Sequence, residues 1–169
     1  MKNLLFLFAL TFMFSCNTTA QKSKETSKEI YKVNKTKEEW RQKLTDKQYQ
    51  VLIEKGTERP NTGKYNLHFE KGLYACAACG AQLFESGDKF ESDCGWPSFD
   101  NAIEGTVKYK EDRSLGMLRT EILCANCGGH LGHIFNDGPT ASGLRYCVNS
   151  ESLNFSDKKG AEDKKEEKH

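Results

Sequence analysis

The sequence of 169 residues has no excess of charge of either sign. Its 25 Lys and Arg residues are balanced by 24 Asp and Glu residues, and the two kinds are interspersed. A protein that binds nucleic acid electrostatically shows a basic patch or stripe. The balance therefore predicts no nucleic-acid partner, and the length is enough for one domain with a core of its own.

The sequence also lacks an apolar stretch that could comfortably span a bilayer. Its most apolar segment, 4–14, has the length of a signal-peptide core. A serine and Cys16 follow, which resembles a bacterial lipoprotein cleavage site, although Met13 stands where Leu is usual. We expect residues 1–16 to be a lipoprotein-type signal peptide. The alternatives are cleavage after Ala20 and an uncleaved anchor.

This interpretation predicts a protein of the bacterial cell envelope. Cys16 would carry lipid and hold the chain on the periplasmic or outer-membrane face, with no other contact to the membrane. Residues 17–32 are polar and predict a linker, and residues 157–169 are highly charged and predict a disordered tail. The folded domain is expected between them, at residues 33–156.

Two short helices are predicted at the start of this domain. Residues 36–39 and 45–48 both fit a capping box, in which a Thr side chain and a Glu or Gln three residues later satisfy backbone donors. Apolar residues follow each box at helical spacing, and Gly56 is the expected C-terminal cap of the second helix. We expect both helices to contribute packing.

The remainder of the domain predicts β-structure. Residues 72–75 lead into a first cysteine pair, and 106–109 and 116–123 alternate in polarity on either side of a hairpin loop at 112–116. In the second strand Leu118 shares a face with Thr120 and Ile122, while Arg119 and Glu121 lie on the other. This pattern predicts an antiparallel sheet that is buried on one face.

Four of the seven cysteines form two matching pairs. Each C-x-x-C pair is followed by Gly, which is the form of a zinc knuckle, and two knuckles supply the four thiolates of a structural zinc site. The predicted ligands of this Zn2+ ion, one per chain, are Cys76, Cys79, Cys124 and Cys127. Two disulfides or a redox dithiol are the alternatives in an exported protein.

If Cys16 carries lipid, two cysteines remain. Cys147 lies in the predicted strand 145–149, where Arg145, Cys147 and Asn149 share one face. A nearby cation favours the thiolate, which is the nucleophilic form. Cys94 lies in a loop-like segment, 92–98. The two thiols fit attack followed by resolution through a disulfide, and a purely structural disulfide is the alternative.

Two histidines precede this strand. His130 and His133 are followed by Asp137, and the three could supply acid–base groups near Cys147. As metal ligands the histidines would lack a further partner at suitable spacing, and the cysteines already fill a site.

The chain from about Thr36 to Phe155 resembles the type B methionine sulfoxide reductases, which act on the R epimer of the sulfoxide. The matching segments occur in the family's order: 39–41, 58–60, 76–80, 94–99, 119–121, 124–128, 130–133 and 145–149. The resemblance implies a mainly β fold of two antiparallel sheets in a sandwich or tent-like arrangement, with short N-terminal helices and a structural zinc site far from the chemistry.

The resemblance also implies roles for individual residues. Cys147 would be the nucleophile and Cys94 the resolving cysteine, and Trp96 would hold the methyl group of the substrate. The other implied site residues are His130, His133, Arg145, Asn149 and Asp137.

The implied reaction begins with attack of the Cys147 thiolate on the sulfoxide sulfur while a protonated histidine, by first choice His133, donates to the oxygen. Cys147 becomes a sulfenic acid, and Cys94 converts it into a disulfide. The expected partners are oxidised proteins or peptides and a thioredoxin-like reductant of the envelope. The protein is expected to be a monomer.

Two rival functions remain at this stage. A non-catalytic zinc-stabilised β module would leave Cys94, Trp96 and the histidines without a task. A thiol–disulfide oxidoreductase that uses Cys76 and Cys79 would require a βαβ pattern around the pair, which the sequence lacks. Activity on the R epimer alone would favour the reductase over both.

Overall fold

Two short helices open the part of the chain described by this computed structural model, which comprises residues 30–157. Helix α1 spans Lys37–Lys43 and helix α2 spans Asp46–Leu52. Both predicted capping boxes are confirmed, because Thr36 and Thr45 each accept a hydrogen bond from a backbone N–H three residues on. The expected cap at Gly56 is wrong: Ile53 caps α2, and the left-handed residue beyond it is Lys55, with φ of 59°.

The remaining elements are short strands. They are β1 Gly72–Cys76, β2 Gln82–Glu85, β3 Lys89–Phe90, β4 Ser98–Phe99, β5 Val107–Asp112, β6 Arg119–Cys124, β7 His130–Phe135, β8 Arg145–Val148 and β9 Leu153–Asp157. Single 3-10 turns occur at Ser86–Asp88, Ser114–Gly116 and Ser150–Ser152. The strands form a three-stranded sheet, β2-β1-β9, and a six-stranded sheet, β3-β4-β8-β7-β6-β5, each with antiparallel neighbours. The predicted fold class is therefore confirmed.

Aromatic rings join the two sheets. Phe84 of the small sheet stacks on Phe99 of the large one, with ring centroids 4.5 Å apart, and Tyr74 meets Phe99 edge-on at 5.1 Å. All three side chains are fully buried. Aromatic pairs in these geometries add to the stability that burial of their area already provides. The core therefore fixes β4, the strand that follows Cys94, against the rest of the fold.

The β5–β6 hairpin differs from the sequence prediction in two ways. Its loop is residues 113–118, so Asp112 belongs to β5 and is paired with Arg119. Burial also departs from a strict alternation of faces: Leu118 is exposed although Ile122 on the same face is buried, and Glu121 on the other face is buried as well. Burial of a carboxylate is tolerated here because Lys55 and His130 both contact it, at 2.7 Å each.

The proposed signal peptide with Cys16, most of the linker and nearly all of the charged tail lie outside the described residues. Within residues 30–157, no helix has the length and apolar character needed to cross a membrane.

Candidate active site and metal centre

One face of the large sheet carries the residues of the candidate active site. The strand register aligns Glu121 of β6 with His133 of β7, His133 with Cys147 of β8, and Cys147 with Ser98 of β4. Paired residues of antiparallel strands point to the same face. The pairing of four strands therefore brings an acid, an imidazole and a thiol into one row.

The alternation predicted for the strand of Cys147 agrees with the burial. Tyr146 and Val148 are buried in the core, while Arg145 and Cys147 are partly exposed on the opposite face. Gly132 on the neighbouring strand explains how closely β7 and β8 approach. A Cβ atom at this glycine would lie 2.0 Å from the carbonyl oxygen of Cys147, so a side chain there would displace the strand of Cys147.

The two remaining thiols lie together. The Sγ atoms of Cys94 and Cys147 are 3.8 Å apart, close to van der Waals contact. Two hydroxyl groups surround the Cys94 sulfur: Ser92 Oγ donates to it at 2.9 Å, and Ser98 Oγ lies 3.4 Å away. A disulfide between the two sulfurs requires a shortening of about 1.8 Å, which a movement of the loop of Cys94 can supply.

The two thiols have unequal pKa values. The hydrogen bond from the Cys147 thiol lowers the pKa of Cys94 to about 4, against the effect of burial, and the two serine hydroxyls add to the lowering. The pKa of Cys147 is raised, first by this hydrogen bond and then by burial, while Arg145 opposes the rise. One proton shared between two sulfurs therefore favours negative charge on Cys94 in the resting arrangement.

Arg145 is the cation that acts on Cys147, and two of its five N–H donors are committed to Asp137. Its Nε and Nη2 atoms donate to the two carboxylate oxygens of Asp137, each at 2.8 Å, and its guanidinium packs over the ring of Phe135. This pairing lowers the pKa of Asp137. Asp137 therefore orients Arg145 rather than lining the cleft itself.

A cleft of about 120 Å³ opens above Cys147. Its complete lining is Thr57, Trp96, Arg119, Gly132, His133, Phe135, Cys147 and Asn149. Four of the residues expected from the sequence, Trp96, His133, Cys147 and Asn149, thus meet in one space.

Trp96 is held from outside the sheet. Its indole Nε1 donates to the carbonyl oxygen of Glu58 at 3.1 Å. The carboxylate of Glu58 accepts from the backbone N–H groups of Ser150 and Glu151 at 2.6 and 3.0 Å. Glu58 therefore ties the tryptophan to the turn that follows the strand of Cys147.

Asn149 completes this connection. Its Oδ1 accepts from the backbone N–H of Glu58 at 3.1 Å, and its Nδ2 donates to the carbonyl of Leu131 at 3.1 Å. The amide is buried. Since these backbone partners already use both ends of the amide, Asn149 contributes a fixed wall to the cleft.

His133 is paired with an acid that the sequence did not indicate. Its Nε2 lies 2.8 Å from Oδ2 of Asp112, and the same oxygen accepts from Arg119 at 2.7 Å. Burial lowers the pKa of His133, and Asp112 opposes this effect. A backbone N–H of Ser114, then His133 and Arg119, hold the pKa of Asp112 below its usual range. The aspartate is therefore a fixed negative partner for the imidazole.

His130 lies behind this group rather than in the cleft. It is almost fully buried, its Nδ1 is 2.7 Å from Glu121 Oε1, and its ring meets that of His133 edge-on. Burial raises the pKa of Glu121, but His130 and Lys55 outweigh it and the net shift is downward. His130 can support His133 by packing, while His133 is the histidine that faces Cys147.

Sequence reasoning missed four residues that line the cleft and two that support it. Thr57, Arg119, Gly132 and Phe135 line the cleft, Asp112 holds His133, and Glu58 holds Trp96. Strand alternation could have indicated two of them. Arg119 lies two positions from Glu121, and Phe135 lies two positions from His133, so each shares a sheet face with that residue. Nothing in the sequence indicates Thr57.

The four knuckle cysteines form a separate cluster. All four Sγ atoms lie within 4.8 Å of one another, with Cys76–Cys127 at 3.7 Å and Cys79–Cys124 at 3.6 Å. These separations exceed a disulfide bond of about 2.0 Å. Four thiolates around zinc, each about 2.3 Å from the metal, would be about 3.8 Å apart in a regular tetrahedron. The donor set therefore fits a metal ion.

The two knuckles are built alike. Gly80 and Gly128 have φ of 77° and 75°, and each donates its N–H at 2.8 Å to the carbonyl of the first cysteine of its pair. These left-handed positions favour glycine, which explains the residue that follows each pair. Along β6, Cys124 is about 10 Å from Glu121, and Cys147 is a further two strands away. The cluster is therefore distinct from the cleft.

Comparison with known proteins identifies one family. The SelR domain matches residues 44–157. A peptide methionine sulfoxide reductase MsrB of Leptospira interrogans is 56% identical over 126 residues, which are 74% of this chain and 96% of that protein. MsrB proteins of Agrobacterium fabrum and Methanosarcina barkeri are each 56% identical over 73% of this chain, and the matches cover 93% and 87% of those proteins.

Proposed function

Since the chain belongs to the SelR-domain family and is a peptide-methionine (R)-S-oxide reductase, we propose that Cys147 attacks the sulfoxide sulfur and that Cys94 resolves the product. The observation that carries this proposal is the distance of 3.8 Å between the two sulfurs at a cleft that His133 and Trp96 also line. A nucleophile, an acid and an apolar ring are what the reaction requires on three sides of a sulfoxide.

Substrate binding begins the sequence of steps. The ring of Trp96 packs against the methyl group on sulfur and excludes water there, as a flat apolar surface does. The sulfoxide oxygen lies toward His133. Arrival of the substrate between the sulfurs and His133 breaks the thiol–thiolate contact, so that Cys147, beside Arg145, takes the negative charge.

The reductive step then transfers oxygen. Cys147 thiolate attacks the sulfoxide sulfur while His133 donates a proton to the oxygen. The attack forms a sulfur–sulfur bond between Cys147 and the substrate. This bond and the substrate's sulfur–oxygen bond then break as the protonated oxygen passes to Cys147 and forms a sulfur–oxygen bond there, and methionine leaves. The substrate sulfur is reduced by two electrons and Cys147 is oxidised to the sulfenic acid by the same number.

Resolution follows from the position of Cys94. Its thiolate attacks the sulfur of the sulfenic acid, a proton joins the departing hydroxide, and water and the Cys94–Cys147 disulfide result. The Cys147 thiol that chiefly lowers the pKa of Cys94 in the resting protein is gone at this stage, but the hydroxyl groups of Ser92 and Ser98 still lower this pKa and favour the attacking thiolate. A thioredoxin-like dithiol restores both thiols by exchange.

A single-turnover experiment tests this sequence. The reduced protein is mixed without reductant with a peptide that carries either the R or the S sulfoxide, and its thiols are then mapped by mass spectrometry. We expect one methionine per protein from the R epimer alone and a disulfide that joins Cys94 to Cys147. A disulfide between any other two cysteines, or turnover of the S epimer, would contradict the proposed mechanism.

The metal of the four-cysteine cluster is proposed to be zinc with a structural role. Four thiolates in close contact repel one another, and a soft divalent cation removes this repulsion. Zinc supplies no redox chemistry, and a closed shell of four sulfurs leaves no position for substrate. Elemental analysis of the purified protein should give one zinc per chain, and two disulfides in a metal-free protein would refute the site.

The proposed location is the bacterial cell envelope, with lipid on Cys16 as the membrane contact. The support is the sequence of the N-terminal segment, and it implies a thioredoxin-like donor on the same side of the membrane. The variant Cys16→Ala should lose both the lipid mass and membrane association. A membrane-bound variant of unchanged mass would contradict the anchor.

A further inference from the structure

A lysine outside the cleft contacts the buried acid of the functional row. Lys55 lies in the loop after α2, and its Nζ is 2.7 Å from Oε2 of Glu121. The Lys55 side chain is half exposed, whereas that of Glu121 is 7% exposed. A buried carboxylate is costly unless it is paired with a positive charge and accepts hydrogen bonds. The ammonium of Lys55 supplies that charge from the protein surface.

The second partner of this carboxylate is His130. Its Nδ1 lies 2.7 Å from Oε1, so each oxygen of Glu121 has one partner. An ionised carboxylate only accepts hydrogen bonds, and the hydrogen in this contact is therefore on Nδ1. The ring is 3% exposed, and its Nε2 has no hydrogen-bond partner among residues 30–157. One hydrogen, on Nδ1, is thus all that the surroundings of His130 require.

The protonation of His130 matters because of the ring next to it. His130 and His133 meet edge-on, with ring centroids 5.6 Å apart. A second proton on His130 would place a positive charge beside the imidazole that must itself be protonated to act as the acid. Like charges at this distance in a partly buried site disfavour each other. The proton on His133 is therefore favoured when His130 stays neutral.

The backbone at Lys55 is an independent sign that its position is fixed by contacts. Its φ of 59° is a left-handed conformation, which costs energy for a residue with a side chain. Such a conformation persists where the surrounding structure holds it. The ion pair with Glu121, 66 positions away in sequence, is the side-chain contact that holds Lys55 here.

We propose that Lys55 is a positioning residue of the reductase and acts on the acid of the reaction through Glu121 and His130. The inference rests on the proposed function, in which His133 donates the proton. Because Lys55 neutralises the buried carboxylate, His130 needs to supply only a hydrogen bond and no charge. The positive charge at this end of the cleft then stays on His133.

The other charged and titratable groups around His133 are consistent with this role. His133 contacts Asp112 of β5, lies near Arg119 of β6 and is paired with Cys147 of β8. Burial lowers the pKa of His133 and Asp112 raises it, while the charges of Arg119 and His130 lower it. Of these opposing influences, the charge on His130 is the one that Lys55 controls.

The test replaces Lys55 by methionine, which keeps the length of the side chain and removes the charge. Lys55→Arg is the conservative variant. Lys47→Met is the matched control, because Lys47 is an exposed lysine of α2 without an ion pair among residues 30–157. The measurements are the imidazole nitrogen NMR spectrum of His130, thermal unfolding, and the pH dependence of single-turnover reduction of N-acetylmethionine-R-sulfoxide.

In Lys55→Met, His130 becomes the partner that must neutralise Glu121, so its Nε2 should be protonated at neutral pH. The maximal rate of the first turnover should then fall about tenfold, because a like charge next to His133 lowers its protonated fraction. The alkaline limb of the rate should move to lower pH, and the half-saturating substrate concentration should stay nearly constant. Lys55→Arg should restore the parent spectrum and rate, and Lys47→Met should match the parent protein.

Two results would overturn the proposal. A lower Tm with the parent spectrum of His130 and the parent pH profile would make the ion pair a structural contact only. A higher half-saturating concentration at an unchanged maximal rate would mean that Lys55 only fastens the loop of Thr57, which lines the cleft.

If Lys55→Met does not fold, Lys55→Gln serves the same purpose, since its amide can donate to Glu121 without a charge. It must show the same protonated Nε2 and the same loss of rate. A parent protein inactive on the R-sulfoxide would refute the proposed function itself, whereas an active parent with an unchanged His130 spectrum in the variant would refute the role of Lys55 alone.

Discussion

Two groups of thiols in this molecule have similar sulfur–sulfur distances and different surroundings. In the knuckle cluster the closest sulfurs are 3.6 and 3.7 Å apart, and in the pair Cys94–Cys147 they are 3.8 Å apart. The cluster consists of four equivalent donors on two identical turns. The pair joins a loop thiol among hydroxyl groups to a strand thiol beside Arg145 and His133.

This difference explains why proximity alone does not make a thiol reactive. Four equivalent thiolates arranged as a tetrahedron can bind one divalent cation, which neutralises part of their charge and blocks the approach of a substrate to the sulfurs. Unequal neighbours instead separate the pKa values of two thiols, lowering that of Cys94 and raising that of Cys147. A pair with one proton between two sulfurs is ready to exchange charge when a substrate enters.

The largest expected effect is that of Cys147→Ser. A serine hydroxyl is not ionised at neutral pH and is a poor nucleophile toward sulfur, so reduction of the R-sulfoxide should fall roughly ten-thousandfold or more. Methionine formation in a single turnover measures it. The metal content and Tm should stay unchanged, because Cys147 belongs to the pair. Substantial remaining activity would place the nucleophile elsewhere.

Cys94→Ser should separate the two halves of the reaction. The first turnover continues, and recycling by a thioredoxin-like reductant stops because, among residues 30–157, no thiol other than Cys94 lies beside Cys147. The substitution also removes the Cys94 thiolate, whose hydrogen bond with the Cys147 thiol is the main cause of the raised pKa of Cys147, ahead of burial. Alkylation of Cys147 at neutral pH should therefore become faster than in the parent protein. Unchanged thioredoxin-supported turnover would require a different resolving thiol.

Cys76→Ser should give the opposite pattern. Loss of one ligand from a buried four-thiolate site removes metal-coupled folding energy, and Tm should fall by roughly 10 °C or more. Zinc analysis and thermal unfolding measure the effect. At a temperature where the variant is folded, single-turnover reduction should proceed at nearly the parent rate. If the Cys76→Ser variant were folded but much slower in single-turnover reduction, the knuckle cluster and the pair Cys94–Cys147 would be coupled.

Local patterns made much of this molecule predictable from its sequence. Both capping boxes, both knuckles and the alternation around Cys147 depend on residues within five positions of one another. The interactions around the cleft depend instead on register between strands that are distant in sequence. Asp112 belongs to β5 rather than to the hairpin loop, and it reaches His133 because β5 pairs with β6 and β6 pairs with β7.

The same argument applies to Glu58 and Glu121. Glu58 is more than ninety positions from the backbone groups that its carboxylate binds. The burial of Glu121 depends on Lys55, in the loop after α2, and on His130 of β7, and these partners are distant from it in sequence or on another strand. The contacts of charged residues whose partners are distant in sequence could therefore not be predicted from local patterns.

Glu58→Gln tests whether the support of Trp96 matters for binding. An amide can accept from only one of the N–H groups of Ser150 and Glu151, and its NH2 group faces the other. We expect a loss of about 2 kcal/mol in stability and a rise in KM for the R-sulfoxide of about tenfold, with a smaller change in kcat.

The readout that separates positioning from stability is the fluorescence of Trp96 in a Trp40→Phe background. Glu151→Gln is the matched control, since its backbone N–H, not its carboxylate, forms the bond. A loss of stability with unchanged KM and unchanged fluorescence would restrict Glu58 to a structural role.

Asp112→Asn should have the smallest effect and the most specific one. Burial lowers the pKa of His133 and the carboxylate of Asp112 opposes this, so removal of the carboxylate lowers the pKa further. Above its pKa, a histidine loses the protonated fraction tenfold for each unit of lowering. If the protonated ring donates to the sulfoxide, the alkaline limb of the single-turnover rate should move to lower pH.

At neutral pH the rate should then fall about three- to tenfold, because fewer molecules carry the proton that His133 donates. The measurement is the pH dependence of the first turnover, combined with an NMR titration of His133. Glu111→Gln is the control, since this neighbouring acid pairs with Arg113 at the surface. A titration of His133 that shifts while the rate profile stays in place would exclude His133 as the acid and leave that role to another group in the cleft.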